Sequence, residues 1–262
     1  FVSMVEAVGG DRGTASSIVP PGVDPHTYQP TPSDARRVAD ADLILVNGLG
    51  LEEWLDGLLG SAGADVPRYT LSEGIESDTG TAGPTAETHE HPEGDPHLWL
   101  DPTLAEGYVA NIARALSEQD PANAATYQAN ADAYIGEIRD MDTWAREQIA
   151  TIPADQRKIV TFHDAYGHFA AHYGLEVIGV VTPSPGQEPS AQQVAQLADE
   201  IRAQGVPAIF LEPQFNPQLG ETLAREAEVQ TYTLYSDTPP EGVGYIEMMR
   251  TNVEHVVEGL TS

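Results

Sequence analysis

The fold is decided by the stretch KIVTFHDAYGHFAAHYGLEVIGVV (158–181). Its two ends, KIVTF and LEVIGVV, are apolar and rich in β-branched residues, as buried strands are, and residues 164–173 between them fit one helix. Downstream the pattern continues with strands AIFLE (208–212) and QTYTLY (230–235) and helices at 190–204, 216–228 and 244–260. Strands that alternate with helices predict a parallel sheet covered by helices.

The N-terminal part of the chain shows the same alternation less regularly. Helical patterns at 33–40 and 51–60 flank the apolar strand DLILV (42–46), and TASSIV (14–19) reads as a further strand. The chain opens directly with a helical pattern, so we expect the first strand of this sheet, and any targeting segment, to precede Phe1.

A single long helix is predicted between these two parts. From Pro121 to about Ile149 the only glycine is Gly136, and no proline interrupts the helical pattern. We therefore predict an α/β protein of two lobes, residues 1–119 and 153–262, joined by a connector helix at 120–152. Each lobe is expected to contain a mainly parallel four-stranded sheet, and the stiff connector predicts limited closure between them.

Composition excludes several classes of function. Acidic residues outnumber basic ones by 41 to 12, and the net charge of −29 argues against nucleic acids and anionic membranes as partners. No apolar run approaches the roughly 20 residues that a membrane-spanning helix requires. The absence of cysteine limits any metal site to imidazole and carboxylate ligands.

Four polar side chains are expected beyond strands or in the loops between elements: His26, His97, His163 and Asp237. Their separations of 71, 66 and 74 residues require tertiary structure to bring them together. In α/β sheets ligands bind at the carboxyl ends of strands. Three imidazoles and one carboxylate suit Zn²⁺, and a carboxylate that binds through both oxygens would admit Mn²⁺. Glu188 and Glu212 also follow predicted strands and are candidates for orienting a ligand imidazole.

The other histidines have weaker functional interpretations. His89 and His91 lie in the acidic, Gly/Pro-rich segment 77–96, where transient metal capture and simple solvation are both open. His168 and His172, four residues apart on one helix, are interpreted as a solvent-facing pair. We interpret His255 as a residue of the polar face of the last helix.

Five segments resemble the cluster A-I (cluster 9) substrate-binding proteins of ABC transporters for zinc and manganese. They are PGVDPHTYQPTPSD (21–34), NGLGLEEWLD (47–56), DPHLWLDP (95–102), TFHDAYGHFAAHYGL (161–175) and LEPQF (211–215). The resemblance implies an extracytoplasmic receptor that holds one ion between two lobes and delivers it to a membrane permease. The ligands it implies are His26, His97, His163 and Asp237. Manganese-type members mostly have glutamate at the position of His163, so the resemblance favours zinc.

Several alternatives to a zinc receptor stay open. The His-containing loop before His97 is short, and a site of three histidines and one aspartate also suits manganese or mixed zinc/manganese receptors of the same family. A zinc-dependent hydrolase would need an open coordination position, which a fourth ligand at Asp237 would fill. An adhesin with a structural metal is a third class. We expect a monomeric receptor and not an enzyme.

Overall fold

The computed structural model describes residues 1–63, 65–76, 94–182, 186–187 and 189–262. Helices and strands alternate along the chain, as they do in α/β proteins. The helices are α1 (Val2–Gly9), α2 (Pro32–Ala39), α3 (Leu55–Ala62), α4 (Pro102–Gln119), α5 (Ala124–Ile149), α6 (Gly167–Tyr173), α7 (Ala191–Gln204), α8 (Pro217–Ala227) and α9 (Tyr245–Thr261). The strands are β1 (Ile44–Val46), β2 (Arg68–Thr70), β3 (Lys158–Thr161), β4 (Glu176–Val180), β5 (Ala208–Leu211) and β6 (Gln230–Thr233).

The C-terminal part of the chain forms a four-stranded parallel sheet with the order β4-β3-β5-β6. The chain passes from β3 outward to β4 and then returns to pair β5 on the other side of β3. Connections from β3 and β5 therefore leave in opposite directions, and such a switch point opens a crevice at the carboxyl ends of the strands. The alternation predicted from residues 158–260 is confirmed.

The predicted four-stranded sheet in the N-terminal lobe is wrong for the residues that the structure describes. Only the short parallel pair β1 and β2 is found there. The segment 14–19, predicted as a strand, is irregular. The Arg37 guanidinium on α2 donates to the carbonyl of Ser17 at 2.6 Å and to the hydroxyl of Ser16 at 3.2 Å. The Arg37 side chain thus binds this segment, which we expected to be bound by the backbone of a neighbouring strand.

The predicted long helix is confirmed as α5, which a short 3-10 turn at Pro121–Asn123 precedes. This helix packs against α1, α4 and α9. One continuous hydrophobic core extends around it and includes buried residues from Met4 to Leu260. The lobe boundaries at 119/120 and 152/153 stay a prediction. None of the helices in the described ranges is both long enough and apolar enough to cross a bilayer.

Candidate metal centre

The four candidate ligands converge at one place in the structure. His26 lies in the loop before α2, His97 in the turn before α4, His163 shortly after β3 and Asp237 after β6. One nitrogen or oxygen atom of each side chain lies within 4.8 Å of the corresponding atom of the other three. No second group of this kind occurs among the described residues. The set is assembled at the carboxyl-terminal edge of the four-stranded sheet.

Two of the histidines are presented by the same tripeptide, Asp-Pro-His. A carboxylate oxygen of Asp24 accepts the backbone N–H of His26 at 2.9 Å, and Asp95 accepts that of His97 at 3.0 Å. Such a bond from Asp to the backbone two residues on forms an Asx turn, and the intervening proline restricts φ. The local sequence therefore sets the direction of each histidine.

Carboxylates also orient the rings of His97 and His163. Oδ1 of Asp95 lies 2.8 Å from Nδ1 of His97, and Oε1 of Glu212 lies 2.7 Å from Nδ1 of His163. An ionised carboxylate only accepts hydrogen bonds, so in the neutral imidazole Nδ1 carries the hydrogen and Nε2 keeps its lone pair. Metal-binding histidines generally have this arrangement. Glu212 thus contacts a candidate ligand as the sequence suggested, whereas Glu188 lies outside the described residues.

Burial and charge act against each other on the ionisable groups of the site. Burial disfavours the charged form of His163, but the Glu212 and Asp237 carboxylates outweigh it and raise the pKa of His163 to about 9. Burial raises the pKa of Asp237, although His163 and His97 oppose this shift. For Asp95 the effect of burial is outweighed by the adjacent His97, and the pKa is lowered. The carboxylates of Glu212, Asp237 and Asp95 give the site a strong preference for positive charge.

The atoms that face one another are nitrogens and oxygens that could bind one metal ion. Nε2 of His26 lies 3.2 Å from Nε2 of His97, and the two oxygens of Asp237 lie 3.8 Å from Nε2 of His97 and 3.7 Å from Nε2 of His163. Ligand atoms 2.0–2.2 Å from a tetrahedral ion are separated by about 3.3–3.6 Å from one another. In the described part of the chain, Nε2 of His163 and Oδ1 of Asp237 are buried without a hydrogen bond. Such groups are costly when unsatisfied, and one shared cation would satisfy them together.

Two tryptophans hold the backbone next to candidate ligands. Nε1 of Trp54 donates to the carbonyl of Pro25 at 2.7 Å, and Nε1 of Trp99 donates to the carbonyl of Ser236 at 3.0 Å. Each of these carbonyls belongs to the residue immediately before a ligand. The bond from Trp99 also joins the N-terminal and C-terminal parts of the chain.

None of the other histidines that the structure describes, His168, His172 and His255, belongs to the group of four candidate ligands. His89 and His91 fall outside the described residues, so their role in capture stays a prediction. The interpretation of His168 and His172 as solvent-facing is wrong, because their side chains are only 4% and 5% exposed. They are buried because α6 packs toward the turn before α4. His255 is half-buried on α9.

His172 lies between two carboxylates. Its Nδ1 is 3.0 Å from Oδ1 of Asp101, and its Nε2 is 2.7 Å from Oδ1 of Asp142. The two acids bind opposite nitrogens of the ring, so they share no point at which a metal ion would contact all three groups. Burial disfavours the imidazolium, but the two carboxylates outweigh it and raise the pKa of His172 to about 8. Arg146 also approaches the ring, with Nη2 2.9 Å from Nε2.

We expect the substitution His172→Gln to remove part of the pH dependence of stability. The folded pKa of about 8 exceeds the ordinary value of 6.5, so protonated His172 stabilises the fold fully below about pH 6.5 and loses this effect as the pH rises through 8. The difference corresponds to about 2 kcal/mol. The measurement is denaturant unfolding of the metal-free proteins at pH 6 and pH 9. The gap in unfolding free energy between wild type and variant should narrow at pH 9, and an equal gap at both pH values would contradict the assignment.

Sequence reasoning missed several residues that support the ligands. Asp24 and Asp95 were detectable, because Asp-Pro-His occurs twice and both copies contain a candidate ligand. Trp99 and Gln214 lie within the segments DPHLWLDP and LEPQF, but their contacts with the site, like that of Ser236, arise only from tertiary structure.

Residues 1–259 match the family described as "ZnuA: Zinc-uptake complex component A periplasmic". The chain belongs to this family. Its members are binding proteins of transporters, so the chain is a binding protein and not an enzyme, and the hydrolase alternative is excluded.

Manganese-binding lipoprotein MntA of Halalkalibacterium halodurans is 36% identical over 98% of this chain and 85% of its own length. The iron-binding protein YfeA of Yersinia pestis is 34% identical over 98% and 82%. The periplasmic zinc-binding protein TroA from Treponema pallidum has a similar fold, with a TM-score of 0.87 and 29% identity over 98% of this chain and 95% of that one.

Proposed function

We propose that this ZnuA-family protein captures one divalent transition-metal ion, with zinc preferred, between His26, His97, His163 and Asp237. The observation that carries the proposal is the convergence of these four side chains within 4.8 Å. Carboxylates orient two of the imidazoles with Nε2 toward the common point, which is the form of histidine that binds metal. The ion is the transported substrate and not a resident cofactor.

The preference for zinc rests on the ligand set. Three imidazole nitrogens and one carboxylate oxygen satisfy the four-coordinate geometry that Zn²⁺ adopts in proteins, whereas Mn²⁺ favours oxygen-rich sites of higher coordination number. A manganese or mixed receptor is the second candidate. It is favoured by the similarity to a manganese-binding lipoprotein and by the position of both Asp237 oxygens, each less than 4 Å from an imidazole nitrogen.

The proposed setting is outside the cytoplasm, where the protein would pass its ion to the membrane permease of an ABC transporter. The family description, which names a periplasmic component of an uptake complex, supports this setting. The net charge of −29 attracts cations from solution. Two ligands precede α5 and two follow it, so a permease that shifts one side slightly against the other would weaken the site and release the ion.

Metal analysis of protein refolded without metal and dialysed against equal Zn²⁺ and Mn²⁺ tests the proposal. We expect one zinc ion per chain in the wild type and loss of this ion in Asp237→Ala. Manganese retention in the wild type would move the protein to the manganese or mixed group. Absence of stoichiometric metal, or an unchanged stoichiometry in Asp237→Ala, would refute the site.

A further inference from the structure

Gln214 lies in the loop after β5, next to two buried carboxylates. Its Nε2 is 3.0 Å from Oε2 of Glu212, 3.1 Å from Oγ of Ser236 and 3.4 Å from Oδ2 of Asp237. Its Oε1 is buried and accepts no hydrogen bond from the described residues. The reverse amide orientation would place the carbonyl against both carboxylates, so the N–H groups are the ones that face them.

Glu212 provides a fixed base for this amide. Its Oε1 accepts the backbone N–H and the Nδ1–H of His163, and its Oε2 accepts the Ser236 hydroxyl at 2.5 Å and the Gln214 amide. Both carboxylate oxygens are therefore engaged, and the Glu212 side chain is 0% exposed. The Gln214 amide has two N–H groups for three acceptors, so at least one N–H is shared, and the bond to Glu212 fixes the amide where it also reaches Oδ2 of Asp237.

The two oxygens of Asp237 consequently have different surroundings. Oδ1 is buried and has no hydrogen-bond donor among the described residues, and it lies 3.8 Å from Nε2 of His97. Oδ2 is the oxygen that faces both Gln214 and Nε2 of His163. A hydrogen bond from Gln214 occupies a lone pair of Oδ2 and competes with its use as a second metal ligand.

We propose that Gln214 is a positioning residue that limits Asp237 to one metal-binding oxygen and thereby favours zinc over manganese. This inference rests on the proposed function, because it assumes that Asp237 binds the ion. With Oδ2 engaged, the site offers three nitrogens and one oxygen, which suits tetrahedral zinc. With Oδ2 released, Asp237 binds through both oxygens, and the fifth ligand atom improves the site for manganese.

The test compares the ratio of the manganese and zinc dissociation constants in wild type, Gln214→Leu and Gln214→Asn. Leucine removes the donor, and asparagine keeps an amide that is too short to reach Asp237, so the second variant serves if the first folds poorly. Both substitutions are expected to lower the ratio by roughly tenfold, the effect of one hydrogen bond to a charged group. X-ray absorption of the zinc-loaded proteins should show the coordination number rising above that of the wild type.

Ser236→Ala is the matched control. It removes the other donor to Oε2 of Glu212 and one acceptor of the Gln214 amide, whereas the bonds from Gln214 to Glu212 and to Asp237 remain. It is expected to weaken both metals alike and to keep the ratio within about twofold of the wild-type value. An unchanged ratio in both Gln214 variants would overturn the inference while leaving the proposed function intact. An equal change of ratio in Ser236→Ala would overturn it as well, since Gln214 would then act only through Glu212. A wild type that binds neither metal would instead refute the proposed function.

Discussion

The substitution His163→Ala is expected to lower zinc affinity by roughly two to three orders of magnitude. Binding free energies of about 10–16 kcal/mol for four-ligand zinc sites correspond to about 2.5–4 kcal/mol per ligand. The imidazole of His163 is buried and is held in place by Glu212. In the alanine variant we therefore expect no flexible side chain to take its place at the site. The measurement is competition between the protein and a chromophoric chelator of known zinc affinity.

Two further variants separate loss of a ligand from loss of structure. His163→Ala also leaves Oε1 of Glu212 without its imidazole partner, so its folding is checked by circular dichroism. His26→Ala removes a candidate ligand that is only half-buried, and it should weaken zinc binding with less effect on the core. His255→Gln changes a histidine outside the site and should bind zinc as the wild type does. Wild-type affinity in both ligand variants would show that the ion binds elsewhere.

The C-terminal half of the fold was predictable because its strands are four or five residues long, largely apolar and separated by helices with clear boundaries. Ser190 and Gln193 form a capping box at the start of α7. The N-terminal sheet was less predictable. Its strands β1 and β2 have three residues each, and the sequence of β2, Arg-Tyr-Thr, has no apolar alternation.

The convergence of the four candidate ligands was predictable because each lies near an element boundary, and the three histidines have distinctive flanking sequences. The groups that orient these side chains were only partly predictable from the sequence. Asp95 is two residues from the histidine it orients, whereas Glu212 and His163 meet only because β5 pairs with β3. The prediction that His172 faces solvent was wrong for the same reason, because its partners are distant in the sequence. Spacing on one helix cannot reveal that Asp101, immediately before α4, and Asp142, in α5, enclose the His172 ring.

The substitution Trp99→Ala is expected to lower the free energy of unfolding by about 3–5 kcal/mol, as removal of a buried aromatic side chain generally does. The ring packs edge-on against Phe1 with the centroids 5.3 Å apart and lies 5.4 Å from the ring of His97. Its indole N–H also satisfies the Ser236 carbonyl. For a chain of this size the loss corresponds to a fall in Tm of roughly 10 °C, measured by calorimetry of the metal-free protein.

Trp99→Phe separates the two roles of this side chain, because phenylalanine keeps most of the apolar contact and removes the N–H. The Ser236 carbonyl then loses its donor next to Asp237, so zinc affinity should fall although the fold is largely retained. Trp144→Phe is the matched control: Trp144 stacks with Arg250 at 4.6 Å, away from the candidate ligands. If Trp99→Phe binds zinc as tightly as Trp144→Phe does, the bond between the two parts of the chain supports the fold alone, and the position of Asp237 is set within the C-terminal sheet.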